Sequence, residues 1–179
     1  MQVLDLLRKE IIIQNVVCTA DLKQPVDIAS FNDYKHLSSN LDLYRCGYVK
    51  DHTMTGRVTV FASGKLISVG TKSPEQAYEE LQKAGSILKK YKLIGSFKII
   101  PKVQNIVAGF DLGDKIHLEE LARTMPKSMY EPEQFPGLIF RIQNSRVALI
   151  FASGKGVLAG AKTISELNRG LYNIEEWIN

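Results

Sequence analysis

The pentapeptide Phe-Ala-Ser-Gly-Lys occurs at Phe61 to Lys65 and again, 90 positions on, at Phe151 to Lys155. The same spacing pairs Gln14-Asn15 with Gln104-Asn105, Asp21-Leu22 with Asp111-Leu112, Gly47 with Gly137, Gly70 with Gly160 and Lys72 with Lys162. On that offset residues 11 to 89 and 101 to 179 share 15 identities in 79 positions, and the alignment asks for no gap. The chain therefore reads as two tandem copies of one unit. Each copy, of about 80 to 90 residues, buries only a modest core by itself, so the sequence predicts two halves fused through a continuous surface.

Arg57 to Gly70 and Arg146 to Gly160 are rich in β-branched and aromatic residues on both sides of a Ser-Gly turn, which predicts a tight hairpin in each copy. Alternation places Thr59 and Phe61 on one face and Val58 and Val60 on the other. Both sets prefer burial, so the sheet needs cover on both sides. One cover follows each hairpin directly. Ser73-Pro74-Glu75-Gln76 supplies an N-cap, a proline at the first helical position and a capping-box glutamine. Ala77, Leu81, Ala84, Leu88 and Tyr91 then form an apolar stripe at helical spacing. Thr163 and Glu166 repeat the box, and Leu167, Leu171, Ile174 and Ile178 repeat the stripe. Shorter helices are expected at Val26 to Leu37 and Ile116 to Met125. Helices on one face leave Phe61, Ile67 and Val69 in the first copy, and Leu149, Phe151 and Val157 in the second, on an open apolar face. Such a face marks a binding surface; a sheet-on-sheet dimer is the plain alternative.

Charge narrows the partner. From Gln134 to Ser165 there is no acid, while Arg141, Arg146, Lys155 and Lys162 fall in that stretch. The corresponding part of the first copy, Tyr44 to Pro74, holds Arg45, Lys50, Arg57, Lys65 and Lys72 against one acid, Asp51. Lysines also protect sheet edges, but their recurrence in both copies favours an anionic partner. No apolar run approaches the roughly 20 residues of a membrane span, and Met1 to Glu10 has no cleavage pattern, so an intracellular protein is expected. His36, His52 and His117 are dispersed, with no nucleophile or metal-ligand spacing around them. Cys18 and Cys46 read as ordinary thiols, and Gly-Lys at 64 and 154 lacks the upstream glycine of a phosphate-binding loop. A binding protein without cofactor or metal is expected, not an enzyme.

These residues resemble the TATA-box-binding family of general transcription factors from about Ile11 to Asn179. The specific elements are Gln-Asn early in each copy, Tyr-Glu-Pro-Glu-Gln-Phe-Pro-Gly-Leu-Ile-Phe-Arg at Tyr130 to Arg141, the doubled Phe-Ala-Ser-Gly-Lys, and Gly-Ala-Lys at Gly160 to Lys162. With no long N-terminal tail the chain resembles archaeal members. The resemblance implies an α+β fold in which repeats at 11–94 and 99–179, after an extension at 1–10, form a saddle. That is one curved ten-stranded antiparallel sheet with helices on its convex face. It implies A·T-rich promoter DNA held by its minor groove and kinked by phenylalanine wedges, a mechanism taken from the family. It also implies transcription factor B and, indirectly, RNA polymerase as partners, a monomer on DNA, and a dimer off DNA as the alternative state. The location would be an archaeal nucleoid in the cytoplasm, or a eukaryotic nucleus.

By the same resemblance Asn15 and Asn105 bond adenine N3 and thymine O2, and Val17, Ile67, Val107, Leu149 and Val157 line the groove. Guanine's amino group would clash there. Phe135 and Phe151 match one wedge pair, and Phe61 matches half of the other. Arg141, Lys65, Lys72, Lys155 and Lys162, with Ser63 and Ser153, match phosphate contacts, which position without reading sequence. Glu131 and Glu133 match the loop that receives transcription factor B. On the gapless alignment Arg45 stands opposite Phe135 and Asp51 opposite Arg141, and Leu41-Asp42-Leu43 replaces Glu-Pro-Glu. That predicts a missing wedge, a missing phosphate cation and unequal halves, as in a specialised paralogue. The competing readings are a protein-only adaptor and an accessory domain of a nucleic-acid enzyme.

Overall fold

The computed structural model describes residues 11–143 and 146–178; the expected extension at 1–10 and the terminal Asn179 lie outside the described residues. Two compact units emerge, a first of residues 15–104 and a second that joins residues 11–14 to the described residues from 105 onward. In the first, β1 (Ile12–Asp21), β2 (Leu37–Ser39), β3 (Cys46–Val49), β4 (Arg57–Phe61) and β5 (Lys65–Thr71) precede α1 (Pro74–Lys90). In the second, β6 (Lys102–Asp111), α2 (Leu118–Thr124), β7 (Ser128–Met129), β8 (Gly137–Ile142), β9 (Arg146–Phe151) and β10 (Lys155–Ala161) precede α3 (Ile164–Ile178). The strand orders β2-β3-β4-β5-β1 and β6-β10-β9-β8-β7 are the same arrangement twice, and the pairings are antiparallel.

The hairpins form as expected. Gly64 and Gly154 take φ of 87° and 83°, and a side chain at either would strike the carbonyl of Gln24 or Asp114, so glycine is required twice over. The capping signals also hold: the Ser73 and Thr163 hydroxyls accept from the N–H of Gln76 and Glu166, whose side chains reach back to the N–H of Lys72 and Lys162. Ala77, Leu81, Ala84 and Leu88 are wholly buried, as are Leu167 and Ile174. Each fully buried leucine is worth about 1.5–3 kcal/mol of transfer free energy, so these stripes fix which sheet face stays open. Tyr91 caps α1 and packs against Tyr34 with ring centroids 4.8 Å apart.

The helix expected at Val26 to Leu37 is only a 3₁₀ turn, Phe31–Asp33. Polar side chains there bind the backbone: Asp27 accepts from the Ala29 N–H, and Asn32 exchanges two bonds with Ser39. Such bonds compete with a helix. The second unit has Leu-Glu-Glu-Leu-Ala-Arg at that place, strong helix formers, and makes α2.

The gapless alignment does not survive. Phe151 pairs with Gly137, and Leu149 with Ile139, yet Phe61 pairs with Cys46 where the constant offset requires Gly47, and Thr59 pairs with Tyr48. The preceding turns agree with the strands: the Glu131 carbonyl accepts from the N–H of Gln134 and Phe135, and the Asn40 carbonyl from those of Leu43 and Tyr44. The Lys50 N–H donates to the His36 carbonyl as that of Arg141 does to Lys127, and both acceptors have positive φ. Between His36 and Lys50 the offset is therefore 91, and the loop at 51–56 restores 90. Tyr44 thus corresponds to Phe135, and Lys50 to Arg141. The two glycines that held the constant register are unrelated: a side chain on Gly137 would meet the Phe135 and Phe151 rings, whereas one on Gly47 would strike Phe31.

Asp51 belongs to that longer loop and has no counterpart at the Arg141 position. Its carboxylate accepts from the Thr53 hydroxyl and N–H at 2.6 and 2.8 Å, which hold its pKa at about 2, below the ordinary 3.8. A lowered carboxylate pKa stabilises above the unfolded value and is lost as pH falls through the folded one. Exchange protection of the Thr53 amide should therefore be full above about pH 4 and vanish toward pH 2. Asp51→Ala should abolish it at neutral pH.

Candidate nucleic-acid interface

In each unit the alternation of the strands turns one set of side chains to the helices and leaves the other half-exposed. Val17, Thr59, Phe61, Ile67 and Val69 form the open face of the first unit. Val107, Ile139, Val147, Leu149, Phe151 and Val157 form that of the second. Every apolar contact expected from the sequence lies on these faces. The opposite positions, Val58, Val60 and Leu66 in one unit and Leu138, Ala148, Ile150 and Leu158 in the other, are buried.

The asparagines are set alike. Asn15 Oδ1 accepts from the Gly70 N–H at 2.7 Å, and Asn105 Oδ1 from the Gly160 N–H at 2.8 Å. Gly70 and Gly160 have φ of 95° and 94°, beside register shifts in the pairings β1–β5 and β6–β10. With its oxygen engaged, each amide keeps its Nδ2 donors available, at a strand position two residues before the open-face residue Val17 or Val107. Two donors suit the acceptors that A·T pairs present in the minor groove, and oppose the guanine amino group.

Phe135 and Phe151 come together, half-exposed, with ring centroids 5.9 Å apart and planes at 58°. Such tilted pairs are worth about 0.5–1.5 kcal/mol beyond burial. Gly137 beneath leaves the room for both rings. In the first unit Cys46 occupies that station, buried and paired with Phe61, and Tyr44 stands out with 63 % of its surface exposed. The station where a wedge was expected to be missing thus holds a tyrosine, unpropped by a ring partner among the described ring contacts. Arg45, exposed, does not take its place.

The cations are redistributed too. Lys65, Lys72, Lys155, Lys162 and Arg141 are exposed, as are Ser63 and Ser153. Lys155 lies 3.9 Å from Asp111, a solvated pair that does not confine it. Arg146, in contrast, is buried and donates to the carbonyls of Gln143 and Glu166, so it serves the fold. Lys50, at the Arg141 position, spends its ammonium on the carbonyls of Met54, Thr55 and Gly56. A hollow of about 990 Å³ on the first unit joins Phe61, Ser63, Lys65 and Ile67 to Lys98, Ile100 and Lys102. Those last three are absent from the sequence-based expectations; their only signal is two lysines four residues apart just before the Gln-Asn pair. Glu131 and Glu133 are exposed on the turn that leads to Phe135.

Cys18 and Cys46 are free and buried, and burial pushes the Cys18 thiol up to about 11. Among the described residues no cluster of three His, Cys, Asp or Glu could hold a metal, and no helix is long and apolar enough to cross a membrane.

Comparison with known proteins agrees with this geometry. The chain matches the family described as Transcription factor TFIID (or TATA-binding protein, TBP) over residues 10–91 and 100–179. It is 40 % identical to the TATA-box-binding protein of Cenarchaeum symbiosum, an alignment covering 92 % of each chain. It is 35 % identical to that of Sulfolobus acidocaldarius, over 90 % of this chain and 83 % of the relative. Among solved structures, Methanococcus jannaschii TBP matches with a TM-score of 0.85 at 31 % identity, over 94 % of this chain and 98 % of that one. The fold is that of this structure, as the sequence predicted.

Proposed function

We propose that this chain, which belongs to the TATA-binding protein family, is a general transcription initiation factor. It binds the minor groove of A·T-rich promoter DNA on its open faces and kinks the duplex with Phe135 and Phe151 at one end and Tyr44 and Phe61 at the other. The bent complex then recruits transcription factor B, and through it RNA polymerase. The observation that supports this reading most directly is the pair of asparagines. Each has its carbonyl oxygen taken by a glycine N–H, so each offers donors, not acceptors, where an A·T groove has acceptors. A protein-only adaptor would have no use for that orientation.

The test is a titration into A·T-rich and G·C-rich duplexes labelled at both ends, read by energy transfer. A·T-selective binding with shortening of the end-to-end distance is expected. With Lys65, Lys72, Arg141, Lys155 and Lys162 on phosphates, log K should fall against log salt with a slope of about −4.5. Equal affinity for both duplexes at moderate salt would remove the reading.

A further inference from the structure

Arg57 lies on the open face of the first unit, paired with Val69 across β4 and β5. Its guanidinium carbon is 4.6 Å from the centroid of the Tyr48 ring, and Tyr48 is paired with Thr59 in the next row of the same face. The second unit is apolar at the matching stations: Ile139 in place of Tyr48, and Val147, between Arg141 and Ala159, in place of Arg57. The first unit has therefore exchanged an aliphatic patch for a stacked guanidinium, and that exchange has no counterpart in the other half.

Two observations indicate what the guanidinium is for. Lys50, the neighbouring cation, is bonded to three loop carbonyls, so the charge left on this part of the face is Arg57. Arg57 also borders a hollow of about 370 Å³ with Val69 and Gly70, and Gly70 is the residue whose N–H holds Asn15. The cation and the amide thus serve adjacent parts of one surface. Contact with the ring restrains the guanidinium and limits the rotamer freedom lost on binding.

We propose that Arg57, held on Tyr48, reads acceptor edges of A·T base pairs in the half of the minor groove that faces the first repeat, making sequence preference unequal between the two half-sites. This rests on the minor-groove reading above and adds to it a polar specificity contact in one repeat only. The guanidinium has five N–H donors and no acceptor, A·T pairs offer adenine N3 and thymine O2, and a narrow A·T groove attracts arginine by its negative potential. The residue also favours one orientation of the protein on an asymmetric element, because only one half-site meets a cation in the groove.

The experiment measures binding of the full chain to an A·T-rich duplex in which each adenine in turn is replaced by 3-deazaadenine, whose N3 acceptor is a C–H, and each thymine by an analogue lacking O2. Wild type should lose about tenfold in affinity at one or two positions in a single half-site beyond those under the asparagines, the discrimination expected of a bidentate contact. In Arg57→Ala those positions should become insensitive while the losses under Asn15 and Asn105 persist. Arg57→Lys, which keeps the charge but not the fork, should fall between. Tyr48→Leu should reduce the same sensitivity without abolishing it. If Arg57→Ala weakens every duplex equally and lowers the salt slope by about one, Arg57 holds a phosphate and the proposal is overturned; unchanged sensitivity at all positions overturns it as well. If wild type is insensitive everywhere, including under the asparagines, it is the minor-groove function itself that fails.

Discussion

Alanine at Phe151 should straighten the bound duplex by 20° or more, because each inserted apolar wedge kinks its base step by about 20–90°. The geometry makes the effect cooperative. Phe151 and Phe135 brace one another across the space left by Gly137, so alanine at either should reduce the kink at that end nearly as much as alanine at both. Stability should suffer much less. Phe151 is half-exposed, and its removal should cost well below the roughly 3–5 kcal/mol of a core phenylalanine. A bend unchanged in energy transfer, together with a steeply lowered melting temperature, would show Phe151 to be core and would end its role as a wedge. Tyr44→Ala should have a smaller effect at the opposite end, since Tyr44 has no ring to lean on and Cys46 fills the station of Gly137. Cys46→Gly should make room for the Tyr44 ring beside Phe61 and sharpen that kink. 2-Aminopurine at each end step would read the two ends separately.

Where two signals agreed, the chain was legible before its structure. Hairpins, capping boxes and apolar stripes each carry local chemistry that no long-range contact overrides, so both helices and the open faces stood where expected. The expected asparagines, Phe61, Phe151 and four of the lysines lie in or beside strings shared by the two copies, whereas Phe135 and Arg141 were read from a string of the second copy alone. Register failed between residues 36 and 50. There the true offset aligns Tyr44 with Phe135, Asp42 with Glu133 and Lys50 with Arg141, matches in chemical kind without a single identity. The false offset offered the identities Ser38 with Ser128 and Gly47 with Gly137. Identity outweighed kind, and a one-residue slip set Arg45 and Asp51 opposite Phe135 and Arg141, where Tyr44 and Lys50 stand. Arg57 and Tyr48 were illegible for a related reason: a residue's neighbour across a strand pair depends on that register. Arg146 and Lys50 read as surface charge because backbone carbonyl partners leave no trace in sequence spacing.

The same corrected register sharpens the expected polarity of assembly. Glu131 and Glu133 flank Pro132 on an exposed turn of the second unit, and the equivalent turn of the first presents Asn40, Leu41, Asp42 and Leu43, with one acid in place of two. Leu41 and Leu43 are exposed there, at 42 % and 71 %, so the two turns differ in charge and also in apolar surface. If transcription factor B docks through a basic surface, the second unit is its proposed site. Reversing both Glu131 and Glu133 to Lys should then abolish the ternary complex at physiological salt, since placing like charges in juxtaposition costs several kcal/mol. Binary DNA binding should be intact or stronger, because two added cations near the groove favour the phosphate backbone. The control is the paired change Asn40→Lys with Asp42→Lys on the first unit's turn, which adds nearly the same charge to the wrong end. It should strengthen DNA binding and leave ternary assembly in place. Loss of the ternary complex in both variants would point to a general charge effect, and survival in the Glu131 and Glu133 variant would place the docking surface elsewhere on the protein.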